Sequence, residues 1–189
     1  EEWLPNHVME ASTRESYTYS IYAHAMDTFG PMRMIEILPS HVREWVSACE
    51  RDGMTPATLR LNKAILSAIF TTALNDQVTA LHPCKGVKTP PVPTKPLRII
   101  TPEEFDTFYA HLPDDMSRLL VETAIESGMR WGELAELRPN DIDLHTRIIT
   151  VSRTVVEVNS AYHPDGEHFL VKKYPKDREW RRLKLSGQI

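Results

Sequence analysis

The sequence lacks long apolar runs, which argues against a helical membrane protein. None of its apolar stretches approaches the roughly 18 residues that a spanning helix needs, and no signal peptide is visible. Hydrophobic residues make up 41% and charged residues 25% of the 189 positions, as in ordinary globular proteins. We therefore expect no membrane attachment and one ordinary domain or two small ones.

Cysteine is scarce, and patterns of metal ligands are missing. Cys49 and Cys84 form no Cys-x-x-Cys pair, and two cysteines in a chain of this size do not make a disulfide scaffold. The eight histidines are scattered, without His-Glu-x-x-His or Cys/His ligand spacing. We expect no metal site, and a reducing, intracellular setting.

Charge is unevenly distributed along the chain, although the net charge is only −4. Residues 85–98 contain four basic side chains and no acidic one, and residues 172–189 contain seven basic and two acidic ones. Two concentrated basic segments in an acidic chain are expected when part of the surface meets a polyanion. Solvated basic loops, in a chain kept soluble by its acidic regions, remain the alternative.

Residues 1–84 have the apolar spacing of a compact bundle of about four helices. A capping box at Ser12 predicts the start of the first helix, which continues to Gly30. Thr55, followed by proline, predicts the start of the third. A short fourth helical turn is predicted around residues 76–81.

Four polar side chains of this bundle are predicted to contact DNA: Arg14 in the first helix, and Arg60, Asn62 and Lys63 in the third. Helix N-termini and pairs of basic residues one turn apart are good phosphate contacts. A solvated helix face is the alternative for each of these residues taken alone.

A proline-rich segment divides the chain. Residues 88–96 read KTPPVPTKP, and proline favours an extended, semi-rigid backbone. We predict a basic linker over residues 88–98, between domains at residues 1–87 and 99–189. Three lysines of this region are predicted to follow a phosphate backbone: Lys85, Lys88 and Lys95.

The second part begins with a capping box at Thr101 and continues with a helix over residues 114–127, which Gly128 ends. A short helix then continues to Arg138, so Arg130 lies at the elbow between two helices. An arginine held there by apolar residues on both sides can direct an always-charged guanidinium into a cleft. A surface arginine at a helix start is the alternative.

After residue 140 the periodicity changes to that of β-strands. Strands are predicted at residues 147–151, 153–158, 168–173 and 180–185. The last two are predicted to form a hairpin with Lys176 at its tip. Arg178 and Arg181, beside that tip, are predicted to contact DNA.

Two motifs resemble those of a known family. The segment around Arg130 reads SGMRWGELAELRPNDID and resembles the first catalytic box of the tyrosine recombinases, or phage-type integrases. In that box arginine is followed by x-Gly-Glu and an Asp-x-Asp turn. The segment YPKDREWRRLKL is similar to the family's second element, a Pro-Lys turn before a return strand. The N-terminal helices resemble the family's core-binding domain.

The resemblance implies a mainly α fold with a small antiparallel β-sheet. It implies a four-helix, SAM-like core-binding domain, followed by the first part of an α+β catalytic domain. In this family a tyrosine attacks a DNA phosphodiester, forms a 3′-phosphotyrosyl link and frees a 5′-hydroxyl, without cofactors. The implied partner is double-stranded DNA with a core-type attachment site, on which the full-length enzyme assembles as a tetramer. The implied location is the cytoplasm of a bacterium that carries a prophage or mobile element.

The resemblance also implies roles for three residues. Arg130 corresponds to the arginine that stabilises negative charge on the non-bridging phosphate oxygens. Lys176 corresponds to the lysine that donates a proton to the leaving 5′-oxygen. Glu133 would hold Arg130 by an ion pair, with an ordinary exposed helix glutamate as the alternative.

The chain departs from the family's pattern after its second element. The His-x-x-Arg box and the tyrosine nucleophile do not appear, and Tyr162 and Tyr174 do not match the nucleophile's context. Catalytic groups that act as a unit are strongly non-additive, so we expect this chain alone to be inactive. We therefore expect a recombinase fragment. The alternatives are a non-catalytic DNA-binding or architectural protein on the same scaffold, and a helical interaction domain with no DNA role.

Overall fold

The chain folds into two compact units, Glu1–Lys95 and Pro96–Ile189. The computed structural model of the protein describes residues 2–94 and 96–186. The division between the units falls inside the predicted linker, and each unit has a hydrophobic cluster of its own. The assignment of core-binding and catalytic roles to these units stays a prediction.

The first unit is helical. Its helices are α1 (Trp3–Asn6), α2 (Ala11–His24), α3 (Met26–Phe29), α4 (Pro39–Arg51) and α5 (Pro56–Asn75), with a 3-10 turn at Met34–Glu36. As predicted, Thr55 caps α5: its side chain accepts a hydrogen bond from the Thr58 amide at 3.2 Å. Leu59 and Phe70 of α5 pack with Trp45 of α4 in the core. None of the helices in the described part of the chain combines the length and apolar character needed to span a membrane.

Two details of the predicted bundle are wrong. The first long helix begins at Ala11, so Ser12 is not its capping residue. The helix is interrupted at Ala25 and resumes as α3, whose C-cap is Gly30, so its predicted end is correct. The helical turn predicted at residues 76–81 does not form. Gln77 has a φ of 59°, in the left-handed region, which ends the helical path after α5.

The second unit combines helices and strands, as the sequence predicts. Its elements are α6 (Pro102–Ala110), α7 (Asp115–Ser127), α8 (Trp131–Ala135), β1 (Ile142–Asp143), β2 (Ile148–Val151), β3 (Thr154–Glu157), β4 (Phe169–Lys172) and β5 (Arg181–Lys184), with 3-10 turns at Pro139–Asp141 and Ser160–Tyr162. The predicted capping box at Thr101 is present, and its hydroxyl accepts from the Glu104 amide at 3.3 Å. Helix α8 ends at Ala135, three residues before the predicted Arg138.

The strand pairing differs from the predicted one. One antiparallel sheet has the order β1-β2-β5, and β3 and β4 form a separate antiparallel pair. The predicted hairpin of the last two strands is therefore wrong. Strand β5 places Leu183 opposite Ile149 in the apolar cluster, whereas β4 pairs with β3 through Val171 and Val155. Lys176 lies in the connection from β4 to β5, between two sheets and not at a hairpin tip.

Candidate active site

The elbow at Arg130 is held by backbone geometry and by apolar anchors. Gly128 ends α7 in the left-handed conformation with a φ of 61°, which glycine adopts without steric cost. Met129 and Leu134, on either side of Arg130, are buried in the cluster that contains Ile149. Arg130 is the N-cap residue of α8, and its side chain is 51% exposed. The side chain thus leaves a fixed backbone position and reaches solvent.

Glu133 binds both the backbone and the side chain of Arg130. Its carboxylate accepts the Arg130 amide at Oε2, at 2.9 Å, and Arg130 Nη1 at Oε1, at 3.1 Å. The Glu133 side chain is only 1% exposed, so it is not an ordinary surface glutamate. The carboxylate completes the N-terminal cap of α8 and restrains the guanidinium in the same way.

Arg181 provides a second partner for Glu133 that the sequence does not indicate. Its Nη1 donates to Oε1 at 3.0 Å and its Nη2 donates to Oε2 at 2.7 Å. This is the bidentate geometry of a guanidinium on a carboxylate. The guanidinium of Arg181, predicted to contact DNA, therefore binds a protein carboxylate. This happens because β5 pairs with β2 and brings Arg181 beside α8.

The arginines keep Glu133 ionised. They lower its pKa from 4.5 to about 2, chiefly through the hydrogen bonds from Arg181, although burial alone would raise it. Since the folded-state pKa is depressed, the stabilisation is present above pH 4.5 and is lost as the pH falls towards 2.

Asp177 faces Arg130 from the connection between β4 and β5. Its Oδ2 lies 3.2 Å from Arg130 Nη1, and this hydrogen bond is the main cause of the raised pKa of Arg130. Lys176, the predicted proton donor, is exposed and directly precedes Asp177. The fold thus brings the segment of Lys176 to Arg130, and a carboxylate lies where the arginine could bind another anion.

Gly132 allows α8 to approach β3 closely. A Cβ at this position would lie 2.2 Å from the Val155 carbonyl oxygen and 2.7 Å from Thr154 Oγ1. Neither backbone can yield freely, since α8 carries the Arg130 cap and β3 is paired with β4. The glycine of the x-Gly-Glu motif is therefore a packing requirement in this structure.

Replacement of Gly132 with alanine is expected to destabilise the second unit by about 1–3 kcal/mol, because overpacking forces such backbone shifts. Urea denaturation of both proteins measures the change. Leu97→Ala, at an exposed position of the same unit, is the control and is expected to stay within about 0.5 kcal/mol of the parent. An unchanged midpoint for Gly132→Ala would contradict the close approach of α8 to β3.

Two of the predicted DNA contacts in the first unit have structural roles. Asn62 is only 5% exposed, and it accepts a hydrogen bond from Ser20 and donates to Met54 Sδ at 3.3 Å. Its prediction as a DNA contact is wrong, because it lies on the core-facing side of α5. Arg14 donates to the carbonyl oxygens of Leu4 and His7, so its guanidinium holds the end of α1.

Among the described residues, Arg60, Lys85 and Lys88 are exposed, whereas Lys63 is partly buried. Lys63 is close enough to Cys84 to oppose the effect of burial, which raises the pKa of that thiol to about 11. This links α5 to the turn that carries Lys85. We call Arg60, Lys63, Lys85 and Lys88 the basic surface of the first unit. Lys95 lies outside the described residues.

Arg178 lies in the same connection as Lys176 and is exposed. Its guanidinium stacks over the Tyr174 ring, 5.8 Å from the centroid, and its backbone has a φ of 62°. In contrast to Arg181, it makes a contact that leaves its charge facing solvent. Among the described residues, no group of three or more histidine, cysteine or acidic side chains is arranged to hold a metal ion.

Comparisons with known proteins give a consistent family. A protein described as a putative prophage phiRv2 integrase, from Mycobacterium tuberculosis, is 32% identical over 191 residues, covering 100% of this chain and 48% of the relative. The tyrosine recombinase XerC of Proteus mirabilis is 32% identical over 108 residues, covering 55% of this chain and 35% of the relative. No family model matches the chain. The chain thus spans about half the length of the first of these relatives.

A solved structure shares the fold. The Tn1549 transposon integrase, in complex with a circular intermediate DNA, superposes with a TM-score of 0.79 at 18% identity. The match covers 98% of this chain and 59% of that chain. The helix-rich architecture with small antiparallel sheets is therefore that of an integrase fold.

Proposed function

Since the chain belongs to the tyrosine recombinase, or phage integrase, family, we propose that it is part of a site-specific DNA recombinase. The observation that carries the proposal is the half-exposed Arg130 guanidinium, restrained at its base by the buried carboxylate of Glu133. Such a preorganised cation suits a transition state in which negative charge develops on phosphate oxygens.

In the proposed reaction, a tyrosine oxygen attacks a DNA phosphorus and forms a 3′-phosphotyrosyl bond, while the bond to the 5′-oxygen breaks. Arg130 stabilises the non-bridging oxygens, and Lys176 donates a proton to the leaving 5′-oxygen. A phosphate would replace Asp177 at the outer side of Arg130, since both are anions that accept from a guanidinium. The tyrosine and the His-x-x-Arg box are not found in these 189 residues, and we propose that further chain supplies them.

We also propose that the basic surface of the first unit contacts duplex DNA at a core-type site. Exposed lysine and arginine side chains supply the sequence-independent part of DNA affinity by displacing counterions. The integrase of similar fold is bound to DNA, which supports the same class of partner here. Self-association as a tetramer on DNA is proposed for the full-length enzyme.

A test of the proposed function uses the complete protein that contains this chain and a nicked duplex of its attachment site. Cleavage next to the nick releases a short oligonucleotide and traps the covalent intermediate. The expected result is a protease-sensitive adduct on a denaturing gel, joined to the 3′-phosphate. DNA binding without an adduct would favour the non-catalytic, architectural alternative. Absence of both binding and adduct would overturn the proposal.

A further inference from the structure

We propose that Arg181 is a positioning residue that orients Arg130 through Glu133, and that it makes no contact with DNA. The proposal rests on the proposed function only in assigning a phosphate to Arg130. It replaces the interpretation suggested by the sequence, in which a basic residue in a basic segment contacts the DNA backbone.

Arg181 fixes the orientation of the Glu133 carboxylate. Two parallel hydrogen bonds from Arg181, of 3.0 and 2.7 Å, fix both oxygens and therefore the plane of the carboxylate. Each oxygen then accepts one further hydrogen bond from Arg130, Oε2 from the amide and Oε1 from Nη1. A carboxylate that could rotate would not hold both groups of Arg130 at once.

The position of Arg181 itself is set by the sheet. Arg181 is paired with Val151 in the ladder of β5 and β2, and Val151 is buried in the apolar cluster of the unit. The restraint thus runs from a packed sheet to Arg181, then to Glu133 and finally to Arg130. Arg130 Nη1 also contacts Asp177, so the half-exposed guanidinium has a second anion beside it, in addition to the buried Glu133.

Charge balance supports the same assignment. Arg130 and Arg181 provide two positive charges, and Glu133 and Asp177 provide two negative ones. Direct hydrogen bonds link them in series, from Arg181 to Glu133, to Arg130 and to Asp177. Exchange of Asp177 for a phosphate monoanion would preserve this balance without moving Arg181. Arg181 is also the less accessible cation, at 32% side-chain exposure, whereas Arg178 in the preceding connection is exposed.

The first test follows the Glu133 carboxyl carbon by NMR in the 189-residue chain without DNA. Arg181→Gln is expected to raise the pKa of Glu133 from about 2 towards 4.5. Arg181→Lys keeps the charge but cannot form the paired bonds, so it is expected to restore less than half of the difference. Arg178→Gln is the matched control and is expected to leave this pKa unchanged. An unchanged pKa in Arg181→Gln overturns the proposal, and full restoration by lysine reduces the contact to a charge effect and also overturns it.

A second measurement tests whether the Arg130 guanidinium becomes less restrained when Arg181 is replaced. Hydrogen exchange of its guanidinium N–H groups is expected to be about tenfold faster in Arg181→Gln, because one restrained charge-assisted contact is lost. Unchanged exchange would contradict the positioning role. Far-UV circular dichroism verifies that the variant is folded; if Arg181→Gln does not fold, Arg181→Lys is used for both NMR measurements.

A third measurement separates positioning from DNA contact. Loss of one phosphate contact lowers the slope of log K against log salt by about 0.9. Arg178→Gln is expected to show this change, and Arg181→Gln is expected to keep the parent slope. A reduced slope in Arg181→Gln would overturn the statement that Arg181 makes no DNA contact. If the chain binds no DNA at all, the proposed function fails, while the NMR measurements still decide the role of Arg181.

Discussion

Replacement of Arg130 with alanine is expected to abolish DNA cleavage by the complete enzyme, with a loss of about 10³-fold or more, while DNA affinity changes only a few-fold. Removal of one preorganised donor to a developing oxyanion costs about 10²–10³ in rate, and a full positive charge costs more. Affinity is spread over many phosphate contacts, so one of them has a small share.

Single-turnover cleavage and a binding titration, measured on the same protein, test this expectation. Arg138→Ala is a suitable control, because Arg138 is an exposed arginine eight positions along the chain that pairs with the partly buried carboxylate of Glu136. Arg130→Lys is expected to recover little activity, since lysine lacks the planar fork. Equal losses of binding and cleavage in Arg130→Ala would mean that Arg130 has a structural role only.

Replacement of Glu133 with alanine is expected to cause the largest loss of stability. Removal of one partner from a buried ion pair costs about 3–5 kcal/mol, because the other charge is left unpaired. Here two guanidinium groups and the Arg130 amide lose their acceptor. Since Arg181 is one-third exposed and water can reach it, we expect a value near the lower end, about 3 kcal/mol.

Urea denaturation at neutral pH measures this effect, with Glu179→Gln as an exposed control expected within about 0.5 kcal/mol of the parent. The difference between Glu133→Ala and the parent should shrink as the pH falls from 4.5 towards 2, because the parent's carboxylate becomes protonated there. A difference that stays constant over this range would mean that the ionised form of Glu133 contributes nothing to stability.

The parts of the fold that depend on local chemistry are readable from the sequence. Thr55 and Thr101 cap helices where the pattern predicts them, and Gly128 ends α7. Each of these signals involves residues within four positions of one another, so no distant contact can override them easily. Strands β2 to β5 also lie where the periodicity predicts them, whereas the two-residue strand β1 is not predicted.

The parts that depend on long-range pairing are not readable in this way. The sequence predicts a hairpin of the last two strands with Lys176 at its tip, but β5 pairs with β2, about thirty residues earlier. That pairing alone places Arg181 beside Glu133, 48 positions away in the chain. The contact between Arg181 and Glu133 therefore cannot be predicted from the sequence, although the motif indicates Arg130 and Glu133.

The predicted DNA contacts show a different limit. Residue type predicts Asn62 as a DNA contact, since it is a polar side chain between two basic ones, yet it lies three positions after Leu59 and four before Leu66. That spacing puts it on the buried face of α5 and could have excluded it. Arg14 gives no comparable signal, because its carbonyl partners, Leu4 and His7, belong to the short helix α1 and its C-cap, which the sequence pattern does not predict.

The central claim is that this chain binds duplex DNA through its basic surface, and the salt dependence of binding by the 189-residue chain tests it most directly. The expected slope of log K against log salt is about −0.9 for each phosphate neutralised. In Lys85→Gln or Lys88→Gln the slope is expected to be less negative by about 0.9, because one phosphate contact is lost. Arg33→Gln is the control, since Arg33 is exposed and faces Glu36 at 3.8 Å outside this surface. A slope near zero, or equal changes for the control and the two lysine variants, would contradict the claim.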